Sequence, residues 1–307
     1  MMNKDMFKMS KSQFEEAIVT ALTNALPGYG IVRKETVKEN DVKMTGLSIY
    51  PEGGSCGCVI YVEHLYYDRY CKGESLDSIV SGLTETIKNE KDALSTTFEK
   101  MFSKEKFLSH VVYRMANRNT NKERLMDALT KDVPGMNDIV IYPVWEVVVG
   151  TKNGSVIVTN TLLQDKDVSV AEVHAAAEEN TTRRTSIISL DQRLRGMVPE
   201  DMMPPMESPF LVSYDKETNG EDASILGAPK VYKELDGDYY IIPSSTHELL
   251  FLPKSFEADV EKLKNMVRDV NTFELDPKDI LSYNVYEWTD GHFITHEANA
   301  GSATETA

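Results

Sequence analysis

Two segments of the same form, Asp138-Ile139-Val140-Ile141-Tyr142-Pro143 and Asp238-Tyr239-Tyr240-Ile241-Ile242-Pro243, lie about a hundred residues apart. Each is a run of strand-favouring residues closed by a proline, which has no N–H to give to a ladder. What precedes them also matches. The first follows an apolar strand expected at Leu108 to Tyr113, the cap Thr120-Asn121-Lys122-Glu123 and a helix through Leu129. The second follows Phe210 to Tyr214, the cap Thr218-Asn219-Gly220-Glu221 and a helix through Leu235. Thr-x-x-Glu is the pattern of a capping box, in which the hydroxyl accepts an unpaired N–H of the first turn and the carboxylate accepts one in return. Beyond each proline a further strand is expected, at Glu146 to Val149 and at Glu248 to Leu252, and each copy later carries a helix ending in Asn-Thr, at Asn180-Thr181 and Asn271-Thr272. The first copy adds a strand at Ser155 to Asn160. The pattern predicts two units of strand, helix, strand, strand, helix, able to pair about a pseudo-twofold axis.

Ahead of them, Phe14, Ile18, Leu22 and Leu26 recur every four residues, predicting a helix from Ser10 to Leu26 with a capping box at Ser12 and Glu15 and a stop at Pro27-Gly28. Strand-like runs follow at Gly30 to Val37, Thr45 to Pro51 and Cys58 to Val62, and a helix begun by Ser75 carries Leu76, Ile79, Val80, Leu83 and Ile87. The expected organisation is an N-terminal helix-strands-helices segment at 1–104, a first α+β repeat unit at 105–195, a second at 209–298, and a small polar tail at 299–307. Between the units, residues 196–208 are rich in proline and methionine and read as a connecting loop. The fold class is α+β, with mixed sheets and flanking helices.

With 49 acidic against 33 basic residues and a formal charge of −16, the average surface repels nucleic acid and anionic lipid. The best basic cluster, Arg183, Arg184, Arg193 and Arg195, is thin and interleaved with Asp191, so neither a nucleic-acid nor a membrane partner is expected. Met1 to Phe14 holds lysines but no apolar core of a signal peptide, and no later window approaches the roughly 20 apolar residues of a membrane span. A cytoplasmic location is expected, and three cysteines in a long chain fit reduced thiols better than a disulfide framework.

One stretch concentrates acid, base and nucleophile: Ile242-Pro243-Ser244-Ser245-Thr246-His247-Glu248. If it is extended, Ser245 and His247 share one face and Ser244, Thr246 and Glu248 the other, so Ser245 can serve as nucleophile, His247 as base and Glu248 as support. The competing reading is a strand break at Pro243 whose hydroxyls satisfy loose backbone groups, with Glu248 paired to His247 or to the neighbouring copy's backbone. The matching segment of the first copy is Pro143-Val144-Trp145-Glu146, so the hydroxyls and imidazole belong to one copy only. Ser244, Thr218, Asn219 and Trp145 are the accompanying binding candidates. Cys56, Cys58, His64 and Cys71 are the right residue types for zinc, but their spacing fits no common finger, and His64 and Cys71 flank a tyrosine-rich run expected to be helical. Phosphate loops, dinucleotide loops and His-Glu-x-x-His are missing from the sequence, so no cofactor is expected.

On these residues the chain resembles an uncharacterised family of bacterial cytoplasmic proteins, a domain of unknown function with a Pro-Ser-Ser-x-His-Glu motif. The resemblance is carried by Ile242 to Glu248, by Thr218-Asn219 and the helix after it, by Asn271, and by Leu281-Ser282-Tyr283-Asn284-Val285-Tyr286. It spans Tyr61 to Trp288, and the run from Tyr61 to Gly73 is similar to the family's N-terminal pattern, of which Cys56 and Cys58 are not part. It implies a fold and no mechanism. The function expected is that of a non-enzymatic interaction or regulatory protein binding a protein partner or small ligand, with a hydrolase built on Ser245, His247 and Glu248 as the alternative.

Overall fold

Phe14, Ile18 and Leu22 form the buried stripe of α1 (Lys11–Ala25) in the computed structural model, which describes residues 9–54, 57–94, 102–149, 152–164, 166–195, 197, 208–218 and 224–299. The cap is Ser10, whose hydroxyl accepts the Gln13 N–H while the Gln13 side chain accepts that of Ser10. The box expected at Ser12 and Glu15 is therefore displaced by two residues, because Glu15 faces inward and pairs with Arg33. Gly28, at φ +85, makes the turn that a side chain would strain.

The chain divides into two units. The first holds residues 1–38, 42–103 and 147–154. Here β1 (Tyr29–Val37), β2 (Lys43–Pro51) and β3 (Cys58–Tyr61) form an antiparallel sheet in that order. Alternation along β2 buries Leu47 and Ile49 in one cluster with Phe14, Ile18 and Leu22, and burying each such side chain contributes roughly 1.5–3 kcal/mol relative to exposure. The tyrosine-rich run is helical as expected: α2 (Val62–His64) widens into a π-helical turn over Leu65–Tyr70. α3 (Leu76–Asn89), capped by the Ser75 hydroxyl on the Ser78 N–H, adds Ile79, Val80 and Ile87 to the same cluster.

The second unit holds residues 39–41, 104–146 and 155–307. α4 (Lys104–Ser109) takes Leu108, which had been expected in a strand, and β4 begins three residues later (Val111–Asn117). β4 joins β5 (Lys131–Asp132) and β6 (Ile139–Val149) in the order β4-β6-β5, with β7 (Lys152–Ile157) also on β6. Pro143 does not end its strand, contrary to the sequence reading. Its partner Tyr113 sends its N–H away from β6 to the Thr181 hydroxyl, 2.9 Å, so the donor that proline lacks falls on the side away from β4.

The helix expected through Leu129 is a run of turns. Leu129 donates to Val158 (3.2 Å) and Ala128 bridges Thr159, which draws the chain off a helical path. The Thr120 cap is bypassed as well: the Asp41 carboxylate accepts the N–H groups of Glu123 and Arg124, both at 2.9 Å. α5 (Val170–Arg184), with a complete capping box at Ser169 and Glu172, packs on β4.

A six-stranded antiparallel sheet completes the unit. It contains β8 (Thr185–Ser189), β9 (Leu211–Asp215) and, after the short α6 (Pro229–Lys233), β10 (Tyr239–Pro243) and β11 (Leu249–Pro253). α7 (Val260–Phe273), β12 (Val285–Thr289) and β13 (His292–His296) follow, and the spatial order is β13-β12-β10-β11-β9-β8. Leu263 and Val267 of α7 bury against Ile242, Leu252 and Val285. Here Pro243 does end its strand. The two matching segments also pair differently: β4 lies directly on β6, whereas β11 intervenes between β9 and β10. Residues 198–207 of the Pro/Met-rich loop, Asn219 to Glu221 of the second cap, Cys56 and the tail beyond 299 lie outside the described residues. No helix among the described residues is long and apolar enough to cross a membrane.

Candidate functional site

Pro243 pairs with Leu249, so Ser244 to Glu248 is the loop of the β10–β11 hairpin. It is bent and not extended, which removes the alternation expected for it. Ser245 Oγ accepts the backbone N–H of His247 at 3.0 Å, the local bond by which serine stabilises a turn. Ser244 Oγ donates to Glu248 Oε1 at 2.9 Å, so Glu248 supports a hydroxyl and not the imidazole. His247 is exposed, and its Nε2 lies 3.7 Å from Asp279 Oδ1. Thr246 is buried, and its N–H donates to the Asp279 carbonyl at 2.8 Å. The hairpin loop thus leans on the segment 276–286, which carries the Leu281 to Tyr286 run.

That segment is the edge of a larger polar network. Asp138, just before β6, accepts from Ser282 Oγ and from Tyr286 OH, both at 2.6 Å, and from Asn117 Nδ2 at 3.1 Å. Asn117 donates also to the Leu281 carbonyl (3.0 Å) and Asn271 to that of Ser282 (3.0 Å). Tyr286 is wholly buried; burial pushes its phenol well above the usual range, and the Asp138 carboxylate beside it adds to the effect. It therefore stays protonated and donates. Buried polar groups with every partner in place fix one arrangement of the segments they join.

Residues 39–41 complete this network. Asn40 Nδ2 lies 2.7 Å from the Pro277 carbonyl, 3.2 Å from that of Lys278 and 2.8 Å from that of Ile280. Its Oδ1 accepts from Thr120 (2.8 Å) and Asn121 (2.9 Å). Asn40 sits at φ 56, a left-handed conformation that asparagine tolerates better than most residues. Beside it, Glu39 pairs with Arg124 at 2.6 Å, and Arg124 reaches Tyr142 OH at 2.8 Å.

A second buried cluster centres on Arg184, which bonds Asp215 at 2.9 Å and Glu146 at 2.5 Å. Glu146 also binds Arg114 (2.7 Å). Arg184 thus belongs to an interior ion network and not to a solvated basic face. Of the other candidates, Trp145 is buried with its ring edge-on to Phe107, the centroids 5.5 Å apart. The Thr218 N–H lies 3.1 Å from Asp215 Oδ1. Cys58 and Cys71 are half-buried thiols, and His64 stands edge-on to Tyr61. Among the described residues, no group of three or more His, Cys, Asp or Glu is placed to hold a metal ion.

The structure therefore brings the Ser244 to Glu248 loop, Asn271 and the 281–286 run into one region, and adds Asn40, Asn117 and Asp138, which the sequence reading missed. Their signals were faint. Asn40-Asp41 is a turn pair between two strand patterns, and Asp138 is an acid at the mouth of an apolar strand. A family model described as a family of unknown function (DUF5688) matches residues 11–290. No curated protein and no solved structure matches the chain.

Proposed function

The chain belongs to that family of unknown function, and we propose, from the geometry of its own residues, that it is a non-enzymatic interaction or regulatory protein of the bacterial cytoplasm, acting on a protein partner or small ligand and not on nucleic acid. One observation carries this reading: the Ser245 hydroxyl is engaged as acceptor by the His247 backbone N–H, and Ser244 and Glu248 are engaged with each other. A nucleophile needs its hydroxyl on the base, at about 2.6–3.2 Å. The loop's polar atoms instead hold its own shape. The acidic surface and the exposed His247 suit recognition by contact.

The hydrolase reading draws support from a different contact, the His247 imidazole facing Asp279, since a carboxylate behind the ring is what orients a base. A panel of ester, amide and phosphoester substrates separates the two. The interaction reading expects no turnover above buffer and retention of a defined partner by the full chain. Turnover that disappears in a folded His247→Ala variant would overturn it.

A further inference from the structure

Leu125 and Val140 form the apolar floor of a recess of ≈ 200 Å³ in the second unit, and Arg118, Asn121, Lys122 and Thr130 complete its lining. The floor is rigid: Leu125 and Val140 are buried, and Asn121, also buried, is fixed by Asn40 and by the Asn117 carbonyl at 2.9 Å. The rim is open, with Arg118, Lys122 and Thr130 exposed. Two cations at one recess stand out on a chain of net charge −16. Neither the Lys122 ammonium nor the Thr130 hydroxyl has a partner among the described residues. Arg118 has one, Asp132 at 2.5 Å, whose side chain is 74% exposed, and an exposed pair of this kind is weakly held.

We propose that this recess binds a small organic carboxylate with a short apolar body. The carboxylate lies between Lys122 and Arg118, displacing Asp132, and the apolar body covers Leu125 and Val140. This is the composition of a ligand site, an apolar surface with a few placed polar groups. A carboxylate is the ligand chemistry proposed because the ligand takes over the seat that the Asp132 carboxylate holds on Arg118, and phosphate is the competing anion that the test includes. The volume limits the ligand. At about 30 Å³ for each water-sized group, the recess takes on the order of six or seven heavy atoms. The inference is independent of the proposed function, since a metabolite site is compatible with either reading of the hairpin loop.

The test is a titration of the full chain with butyrate, followed by amide NMR spectra at low salt, with butyramide and inorganic phosphate in parallel. Butyrate is expected to give saturable shifts confined to the recess. Arg118→Gln and Lys122→Gln should each weaken binding by about tenfold, the worth of one charged hydrogen bond. Asp132→Asn should strengthen it, by roughly threefold, because Arg118 is released from its surface pair. All three side chains are exposed, so the variants fold and their spectra show it. The proposal is overturned by an absence of saturable shifts, by butyramide binding as well as butyrate, by variants that bind like the wild type, or by phosphate binding as tightly as butyrate.

Discussion

The hairpin loop at Ser244 to Glu248 and the buried network around Asp138 are both dense in hydroxyls, carboxylates and amides, yet they are held by opposite means. In the loop, Ser244 bonds Glu248 and Ser245 bonds the residue two ahead, all within five residues. In the network, Asp138 draws on Asn117, Ser282 and Tyr286, with sequence separations of 21, 144 and 148. The first, apart from buried Thr246, is half-exposed, and each of its local bonds contributes little. The second is buried, where a lost partner strands another polar group away from water. A concentration of polar residues in sequence is therefore a poor guide to where polar groups matter most in the fold.

Asp138→Ala is the strongest test of that difference. It removes a buried carboxylate that accepts three hydrogen bonds and leaves the Ser282 and Tyr286 hydroxyls only each other, 2.8 Å apart; at about 1.5–3 kcal/mol for a hydrogen bond to a charged group, the variant should lose about 3–5 kcal/mol. Urea unfolding measures it, through a fall in midpoint at constant slope. A loss under about 1 kcal/mol would show the network to be no more important than a surface turn. Asn40→Ala comes next. It removes a side chain that bridges three carbonyls and two donors, and it places alanine at φ 56. A loss of about 2–4 kcal/mol is expected, and Asn40→Gly should recover the backbone part of it, about 1 kcal/mol.

Much of the frame was legible before the structure. The four-residue recurrence in α1, the alternation in β2 and the amphipathic stripe of α3 are local patterns, and local patterns are what a sequence carries directly. Pro243 was readable as the end of a strand for the same reason. Pro143 was not, because whether a proline breaks a ladder depends on which neighbour lies on its donor side, a tertiary fact. The helix expected through Leu129 failed for a related cause: Asp41, 82 positions before Glu123, takes the amides that the local cap was expected to serve. At the site, His247 was visible in a polar stretch between two apolar runs, and Asn271 as the end of a helix and a carrier of the family resemblance. Asn40 and Asp138 were not, since nothing local distinguishes a turn asparagine from one that organises another segment.

Tyr286→Phe sharpens the comparison further. It keeps the ring and the Ser282 bond to Asp138 and deletes one donor, so a loss of about 1–2 kcal/mol is expected by urea unfolding. The phenol gives a second readout. Its folded pKa is raised above the ordinary value of 10.0, so its contribution is complete below that pH and fades as pH climbs through the raised value. Wild type should therefore lose stability on the alkaline side faster than Tyr286→Phe. Equal alkaline profiles would mean that the phenol is not held by the network.

The smallest effects belong to the hairpin loop, and they carry the functional question. Ser245→Ala removes an acceptor from one turn amide that water can reach, so it should cost about 0.5–1 kcal/mol. His247→Ala, at an exposed position with a 3.7 Å approach to Asp279, should change stability by no more than about 0.5 kcal/mol. Both variants will therefore be folded, which is what makes them informative. If the loop is a structural turn, the pair will also leave partner retention and every hydrolytic background untouched. If partner retention falls in His247→Ala while unfolding midpoints stay level, the exposed imidazole is a recognition group. The same side chains that look catalytic in sequence then act by contact, on a loop whose shape its own serines maintain.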